Sequence, residues 1–321
     1  MKILSLGYAG YGAPDPQQWL TYGTEIIGAM PARALPGESW GIPMDPTSGP
    51  ASAGSGVGPD GSVYLKFDDR QWRVAIHPSQ DNAGLLYMGL EVEGVVALEA
   101  AVEELKASGV DARMGTAEEA RNRSVTGIAY TQDPAGNSIE LFYGMTEDFK
   151  FVSPQGMSFK MGHLGLGHLN LIVSELQVNK DFYIKLLGFQ LSDYIEFGPD
   201  MSANFYHTNA RHHSIGLMRV GPFNGIHHMM IEVDNIDDVL KCYDRVKDAG
   251  VQVKSTLGRH INDNMLSFYM ASPFGFEVEI GFDGFELDEN WRARQFCEGD
   301  LWGHRGLEVE AIQQAAEKIK Q

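Results

Sequence analysis

Residues 258–279 read GRHINDNMLSFYMASPFGFEVE, two apolar-rich runs joined by the turn sequence Ser-Pro-Phe-Gly. Aromatic and β-branched residues on both sides of a Pro/Gly turn predict two strands that pair as a hairpin. The second run has a counterpart in the first half of the chain, because SPFGFEVEIGF (272–282) parallels DPAGNSIELFYG (133–144). This segment therefore indicates that the chain is internally repeated.

The repetition extends outward from these two strands. GIHHMMIEV (225–233) parallels GLLYMGLEV (84–92), and the openings of the two halves, 6–29 and 166–189, match as well. Each quarter reads as a strand, a helix and several further strands. We predict an α+β protein of two domains, each built from two repeated βαβββ modules that form a curved, barrel-like sheet. The predicted bounds are 1–145 for the N-terminal domain, 146–307 for a C-terminal catalytic, metal-binding domain, and 308–321 for a helical tail.

The stretch after residue 235 illustrates the helical part of a module. Leu240, Tyr243 and Val246 fall at helical spacing, and Gly250 follows the last of them. A glycine just beyond an apolar helical period is typical of a helix C-terminus. In contrast, the Gly/Ser/Pro-rich stretch 46–62 contains GSGVG but no following helix or Walker lysine, so it predicts a surface loop rather than a phosphate-binding loop.

Composition limits the classes of function. The chain has 321 residues, 43% of them apolar, and a formal net charge of −18. This charge argues against nucleic acid as a partner, because phosphate backbones require clustered Lys and Arg. No apolar run reaches the ~20 residues of a membrane span, and Cys242 and Cys297 lack zinc-motif spacing. We therefore expect a reduced, cytoplasmic protein with no membrane partner.

The repeat provides an internal control for the histidines. When the quarters are aligned, three positions of the C-terminal half carry potential metal ligands where the N-terminal half carries two tyrosines and a glutamate. The pairs are His168 with Tyr8, His228 with Tyr87, and Glu279 with Glu140. Two histidines and one carboxylate are the ligands of a non-haem iron(II) facial triad. The pattern predicts one metal site per chain, in the second half.

Strand geometry decides between neighbouring candidates. His227 and His228 point to opposite faces of a strand, and the repeat favours His228. Glu277 and Glu279 share a face about 7 Å apart, and the repeat favours Glu279. Glu232 is four residues from His228, a distance of ~13 Å in a strand, so it is not expected to be a co-ligand.

Several motifs together carry a family resemblance that covers nearly the whole chain. They are SLGY (5–8), WRVAI (72–76), LGFQLSD (187–193), NARHHSIG (209–216), the 258–279 block and LWGHRG (301–306). The chain resembles the type I extradiol ring-cleavage dioxygenases of the vicinal oxygen chelate superfamily. That resemblance implies the glyoxalase-like fold already predicted from the repeat, and an enzyme of aromatic hydrocarbon catabolism that incorporates both atoms of dioxygen.

The resemblance also implies roles for individual residues. The Fe(II) ligands would be His168, His228 and Glu279. The catalytic residues would be His213, His260 and Tyr269. The substrate-binding residues would be Asn170, Phe205, Gly216, His227, Asn262 and Asp263. The implied partners are a small aromatic diol, dioxygen and further copies of the chain in a homo-oligomer, possibly an octamer.

Alternatives remain at this stage. A bulky aryl or polycyclic catechol such as 2,3-dihydroxybiphenyl is expected, with 1,2-dihydroxynaphthalene and steroid-derived catechols also open, and Mn(II) is compatible with the same ligands. A glyoxalase-like isomerase would draw its metal ligands from both halves. A non-enzymatic binding protein of the superfamily would lack the acid–base set. The other histidines, His163, His207 and His304, are expected to be structural or at the surface.

Overall fold

The computed structural model describes residues 1–33, 35–36, 54–81, 83–148, 150–198 and 200–307. The predicted tail, 308–321, and the 46–53 part of the predicted loop lie outside these ranges. Residues 54–62 lead through a tight turn, in which Gly58 N donates to Ser62 O over 2.7 Å, into a strand rather than a helix. In the part of the chain described, no helix combines the length and the apolar character needed to span a membrane.

An eight-stranded sheet is formed by the N-terminal half, in the spatial order β2-β3-β4-β1-β5-β8-β7-β6. Its strands are β1 Ser5–Ala13, β2 Met30–Pro31, β3 Val63–Lys66, β4 Val74–Pro78, β5 Gly84–Glu91, β6 Ala112–Met114, β7 Gly127–Gln132 and β8 Ser138–Tyr143. Its helices are α1 Pro16–Thr21, which continues as a π-helical turn Tyr22–Ile27, α2 Val95–Ala107 and α3 Ala117–Arg121.

A ten-stranded sheet is formed by the C-terminal half, in the order β17-β10-β11-β12-β9-β13-β16-β15-β14-β18. Its strands are β9 His168–Ile172, β10 Gln190–Gly198, β11 Met201–His207, β12 Ile215–Arg219, β13 Gly225–Glu232, β14 Val253–His260, β15 Leu266–Ala271, β16 Glu277–Phe282, β17 Gln295–Phe296 and β18 Asp300–Trp302. Its helices are α4 Leu176–Asp181, which continues as a π-helical turn Phe182–Leu186, and α5 Ile236–Asp248; a 3-10 turn spans Gly162–Leu164.

Strand pairing confirms the predicted repeat and fold class. In the first sheet, β1 and β5 pair antiparallel, and each also pairs in parallel with the last strand of its module, β4 or β8. In the second sheet, β9 and β13 pair antiparallel and pair in parallel with β12 and β16. Each half is therefore two βαβββ modules joined through their first strands into one curved sheet. The exact domain bounds stay a prediction.

Helix α5 shows how the sequence determines a module helix. The side chain of Asn235 accepts a hydrogen bond from Asp238 N at 3.0 Å, and Gly250 adopts a left-handed φ of 69° just beyond the end. Both are typical helix-terminal arrangements. The buried face carries Val239, Cys242 and Val246, whereas Leu240 is 40% exposed. The helical spacing is confirmed, and packing against the sheet buries Val239 rather than the adjacent Leu240.

Aromatic packing joins the two halves into a common core. Phe276, in the turn before β16, stacks on Tyr11 of β1 at 4.5 Å and on Trp19 of α1 at 5.4 Å between ring centroids. Tyr183 donates to Asp133 over 2.9 Å from the other half. The Phe276 contacts hold the N-terminal end of β16, the strand that carries Glu279.

Candidate active site

Three side chains from adjacent strands of the second sheet converge on one point. His168 Nε2 lies 3.0 Å from His228 Nε2 and 3.5 Å from Glu279 Oε2, and His228 Nε2 lies 3.3 Å from that same oxygen. All three residues are buried. A divalent first-row metal about 2.1 Å from each of three ligands separates the ligand atoms by roughly 3.0–3.4 Å. The three atoms are therefore spaced as ligands of one ion.

The protonation states in this cluster also suit a metal. Burial alone would raise the pKa of Glu279, but His168 and His260 hold it well below its ordinary value, so the carboxylate is ionised. Burial holds the pKa of His228 well below its ordinary value, so its ring is neutral. Ionised carboxylate and neutral imidazole are the forms that bind metals. Within the described ranges neither Glu279 oxygen has a hydrogen-bond donor, a costly state for a buried charge unless a cation lies beside it.

The neighbouring candidates have other partners. His227 Nδ1 contacts His228 Nδ1 at 2.7 Å, so His228 directs its other ring nitrogen, Nε2, toward the cluster. Glu277 faces Lys254, 4.0 Å away. Glu232 is in strand β13 and pairs with Arg211 and Lys160. Position along the strand therefore separates Glu232 and Glu277 from the cluster, whereas His227, next to a register shift in β13, lines the same cavity as His228.

Three further polar side chains surround this point. The His213 ring stacks on His168 at 3.8 Å, and its Nε2 has no partner among the described residues. Burial holds the pKa of His213 well below its usual range, so the ring is neutral at pH 7. His260 Nε2 lies 2.9 Å from Tyr269 Oη and 3.6 Å from Glu279 Oε1.

His260 and His213 differ in charge. Burial would lower the pKa of His260, but the carboxylates of Asp300 and Glu279 outweigh burial and raise it well above its ordinary value. Burial, reinforced by Glu279, raises the pKa of Tyr269 well above its ordinary value, so the phenol keeps its proton. One edge of the cluster therefore presents a cationic donor and a neutral phenol, and the opposite edge presents a neutral imidazole.

These groups open into a cavity of about 330 Å³. One wall is polar and contains the cluster together with Asn170, His227, Asn262 and Asp263; the other wall is apolar and contains Ile195, Phe197, Ala203, Phe205 and Met218. Gly216 differs from the expectation, because it is not among the described residues that line the cavity. A Cβ added at Gly216 would lie 3.0 Å from the side chain of Asn170, so this glycine makes room for Asn170 on the neighbouring strand.

Two pairs of residues were missed by the sequence interpretation. His304, expected to be structural or at the surface, lines the cavity, and its Nδ1 shares Asp300 Oδ1 with His260 Nδ1 at 2.6 and 2.7 Å. His212 Nδ1 lies 3.0 Å from His213 Nδ1, and its Nε2 lies 2.9 Å from Asp193 Oδ2. The LWGHRG, LGFQLSD and NARHHSIG motifs contain His304, Asp193 and His212, which was the available signal.

The fold and the cluster together define a class. Two curved sheets of paired βαβββ modules, with two histidines and a glutamate inside one of them, are the architecture of the vicinal oxygen chelate metal enzymes. Consistent with this, residues 165–280 match the family described as Glyoxalase/Bleomycin resistance protein/Dioxygenase superfamily.

Similar proteins of known activity identify the family within this class. The chain is 35% identical to an iron-dependent extradiol dioxygenase of Rhodococcus jostii (strain RHA1), over 95% of this chain and 97% of that one. It is 35% identical to biphenyl-2,3-diol 1,2-dioxygenase of Paraburkholderia xenovorans (strain LB400), over 97% and 98%. A solved structure, BphC, a halotolerant catechol dioxygenase, superimposes with a TM-score of 0.83 at 32% identity, covering 97% of each chain. The chain belongs to the extradiol catechol dioxygenase family.

Proposed function

We propose that this protein cleaves the ring of a bulky aryl or polycyclic catechol beside, not between, its two hydroxyls, with Fe(II) held by His168, His228 and Glu279. The observation that carries the proposal is the spacing of 3.0–3.5 Å among the three ligand atoms at the cavity. Bound Fe(II) would supply Lewis acidity that eases loss of a phenolic proton and redox chemistry that activates dioxygen. The remaining chemistry is assigned to the side chains around it.

Binding and orientation of the diol fall to the cationic edge of the site. His260, held by Asp300, and the protonated Tyr269 would donate hydrogen bonds to the substrate oxygens. Asn170, His227, Asn262 and Asp263 complete the polar wall. The aryl substituent would lie against Phe205 and the apolar wall, which excludes water from the reacting atoms.

Proton movement falls to the opposite edge. The Nε2 atom of neutral His213 would take a proton from the substrate and return it to oxygen when the O–O bond breaks. Both oxygen atoms of dioxygen enter the product, and one proton is released overall, because the ring-opened 2-hydroxy-6-keto dienoate is a carboxylate anion at neutral pH. Because the candidate ligands all come from the C-terminal sheet, the arrangement favours this reaction over a glyoxalase-like isomerisation with ligands from both halves.

Activity with Fe(II) restored under anaerobic conditions tests this function. Catechol, 3-methylcatechol, 2,3-dihydroxybiphenyl and 1,2-dihydroxynaphthalene would be compared by oxygen uptake and by the yellow colour of the product. We expect colour only with dioxygen and a catechol, and the highest kcat/KM with a bulky aryl catechol. Colour with none of the four, from protein that contains iron, would contradict the proposal. Repeating the assay with Mn(II) tests the choice of metal.

The role of His213 is tested separately. His213→Ala should keep its iron and lose kcat by a factor of about 10²–10⁴. His163→Ala removes an exposed histidine and is the matched control, with wild-type turnover expected. Full activity in His213→Ala would refute the proton-transfer role. A homo-oligomer, possibly an octamer, and a cytoplasmic location stay predictions.

A further inference from the structure

A line of three buried side chains runs from the cavity into the C-terminal sheet behind His213. His213 Nδ1 lies 3.0 Å from His212 Nδ1, and His212 Nε2 lies 2.9 Å from Asp193 Oδ2. Asp193 is 0% exposed, and both histidines are 3% exposed. At the other end of the line, His213 Nε2 is a buried atom without a partner among the described residues, and the His213 ring lines the cavity.

The line fixes where each proton lies. A carboxylate accepts hydrogen bonds, so the 2.9 Å contact with Asp193 requires a proton on His212 Nε2. With one proton on each imidazole ring, His212 Nδ1 carries a lone pair, and its 3.0 Å contact then requires the proton of His213 to be on Nδ1. His213 Nε2 is consequently left bare toward the cavity. That is the tautomer needed to accept a proton from a substrate hydroxyl.

The surroundings hold His212 in this role. The Trp291 ring meets the His212 ring edge-on at 5.5 Å, and Trp291 Nε1 donates to Ser192 O over 2.7 Å. Asn262 Nδ2 donates weakly to the second oxygen of Asp193 at 3.4 Å. The only other carboxylate near His213 Nδ1 in the described chain, that of Asp263, is 3.9 Å away, beyond hydrogen-bond reach. Among the described residues, His212 is thus the hydrogen-bond partner of His213 Nδ1, while His168 and Phe205 pack against the His213 ring.

We propose that Asp193 and His212 are positioning residues that fix the proton of His213 on Nδ1 and keep its Nε2 bare toward the bound diol. The catalytic consequence rests on the proposed function, but the tautomer itself does not. Neither residue touches the substrate cavity, so both act through His213. The arrangement is that of an acid–base histidine whose tautomer is set by a buried carboxylate, here with a second imidazole between them.

The tautomer is measurable in the wild-type chain without any variant. Solid-state nitrogen-15 NMR of the histidine-labelled, Zn(II)-loaded protein distinguishes the protonated from the bare nitrogen in each ring. We expect Nδ1–H on His213 and Nε2–H on His212. The reverse assignment for His213, with its proton on Nε2, would overturn the proposal. Because this readout needs no turnover, it stands even if the dioxygenase assay fails.

Asp193→Asn supplies the functional test. The hydrogen bond from Asn262 Nδ2 should keep the oxygen of the new amide at the present position of Asp193 Oδ1. The NH2 group of the amide then faces His212 Nε2 and donates to it, which reverses the tautomers of both histidines. We expect kcat to fall about 10²–10⁴-fold while KM for the catechol and iron content stay unchanged, with His213 now protonated on Nε2. His212→Phe, which keeps the ring volume beside Trp291, should also lower kcat at unchanged iron content.

Ser192→Ala is the matched control. It removes a hydroxyl that donates to the His212 carbonyl but leaves the line of rings intact. A purely structural role for this region predicts similar losses of thermal stability and of kcat in all three variants. The positioning role predicts that Ser192→Ala loses stability but keeps kcat and the His213 tautomer. Wild-type kcat in folded Asp193→Asn would contradict the proposal.

Discussion

The two sheets place a polar cluster at the same point of the repeat and use it in opposite ways. In the C-terminal sheet, His168 and His228 flank Glu279, and within the described chain no donor reaches the oxygens of that glutamate. In the N-terminal sheet, Tyr8 donates to Glu140 over 2.7 Å, and Arg123 Nε reaches both oxygens of Glu140 at 2.9 and 3.1 Å. Glu140 accepts hydrogen bonds directly from an internal cation, whereas His260, the cationic side chain beside Glu279, stays 3.6 Å from it and leaves its oxygens free for a metal.

Arg123 accounts for the difference. Its guanidinium lies 4.1 Å over the ring of Tyr87, the position that corresponds to His228, and it neutralises Glu140 from within the chain. Stacked aromatic rings complete the site, with Tyr8 4.7 Å from both Trp72 and Phe142. Each pair of βαβββ modules therefore holds a buried carboxylate at the same position. The charged side chains around that carboxylate decide whether a metal binds there.

The largest expected effect is on metal binding. Glu279→Ala should lose its metal entirely after dialysis, because the two imidazoles are left without the charged ligand. Glu277→Ala, one strand period away on the same face and beside Lys254, should keep full occupancy. Metal per chain is measured by mass spectrometry. Equal occupancy in the two variants would remove the distinction between Glu279 and its neighbour.

The next effect is on stability, in the N-terminal sheet. Arg123→Ala leaves Glu140, whose side chain is 3% exposed, without a counter-charge, and should lower the free energy of unfolding by about 3–5 kcal/mol. Metal content and kcat should not change. Arg113→Ala breaks an exposed pair with Glu119 and should cost less than about 1 kcal/mol. Denaturant unfolding measures both, and similar values for the two variants would argue against an internal cation.

A third effect concerns the two edge strands of the second sheet, which have no counterpart in the described part of the first sheet. Strands β17 and β18 extend it, and Asp300 of β18 accepts from His260 and His304. Asp300→Ala should raise KM for the catechol about 10–100-fold at unchanged metal content, because His260 loses its charged acceptor. Leu301→Ala, at the adjacent exposed position, is the control. An unchanged KM in Asp300→Ala would make β18 a merely structural addition.

The smallest effect is a pH dependence. Burial, followed by the nearby Arg123, lowers the pKa of His77 from 6.5 to about 4. The unfolded chain therefore binds a proton that the folded chain does not, and stability is lost as the pH falls from about 6.5 to about 4. His77→Gln should flatten the slope of unfolding free energy against pH in that window. His207, whose pKa burial also lowers to about 4, should maintain part of the slope. An unaltered slope would contradict the shift at His77.

The sequence predicted what the repeat encodes locally. The βαβββ modules, the convergence of His168, His228 and Glu279, and the separation of Glu279 from Glu277 all follow from strand periodicity and internal alignment. These features depend on residues close together in one strand or at equivalent points of the repeat.

The partners that adjust the site were not predictable in the same way. Arg123 reaches Glu140 from the end of α3, Asp193 reaches His212 across two strands, and His304 reaches Asp300 over a turn in which its own φ is 45°. Each contact forms only when the sheet curves, and none repeats in the other half. The family motif assigned Gly216 to the substrate-binding residues. A motif alone does not show which side chain a glycine makes room for, and here that side chain is Asn170.

Anomalous diffraction at the iron edge, from crystals of Fe(II)-loaded protein, tests the central claim most directly. The account predicts one strong peak per chain, between the Nε2 atoms of His168 and His228 and the carboxylate of Glu279. It predicts no peak beside Glu140, where Arg123 holds the charge. Iron absent from the first position, or present at the second, would contradict it.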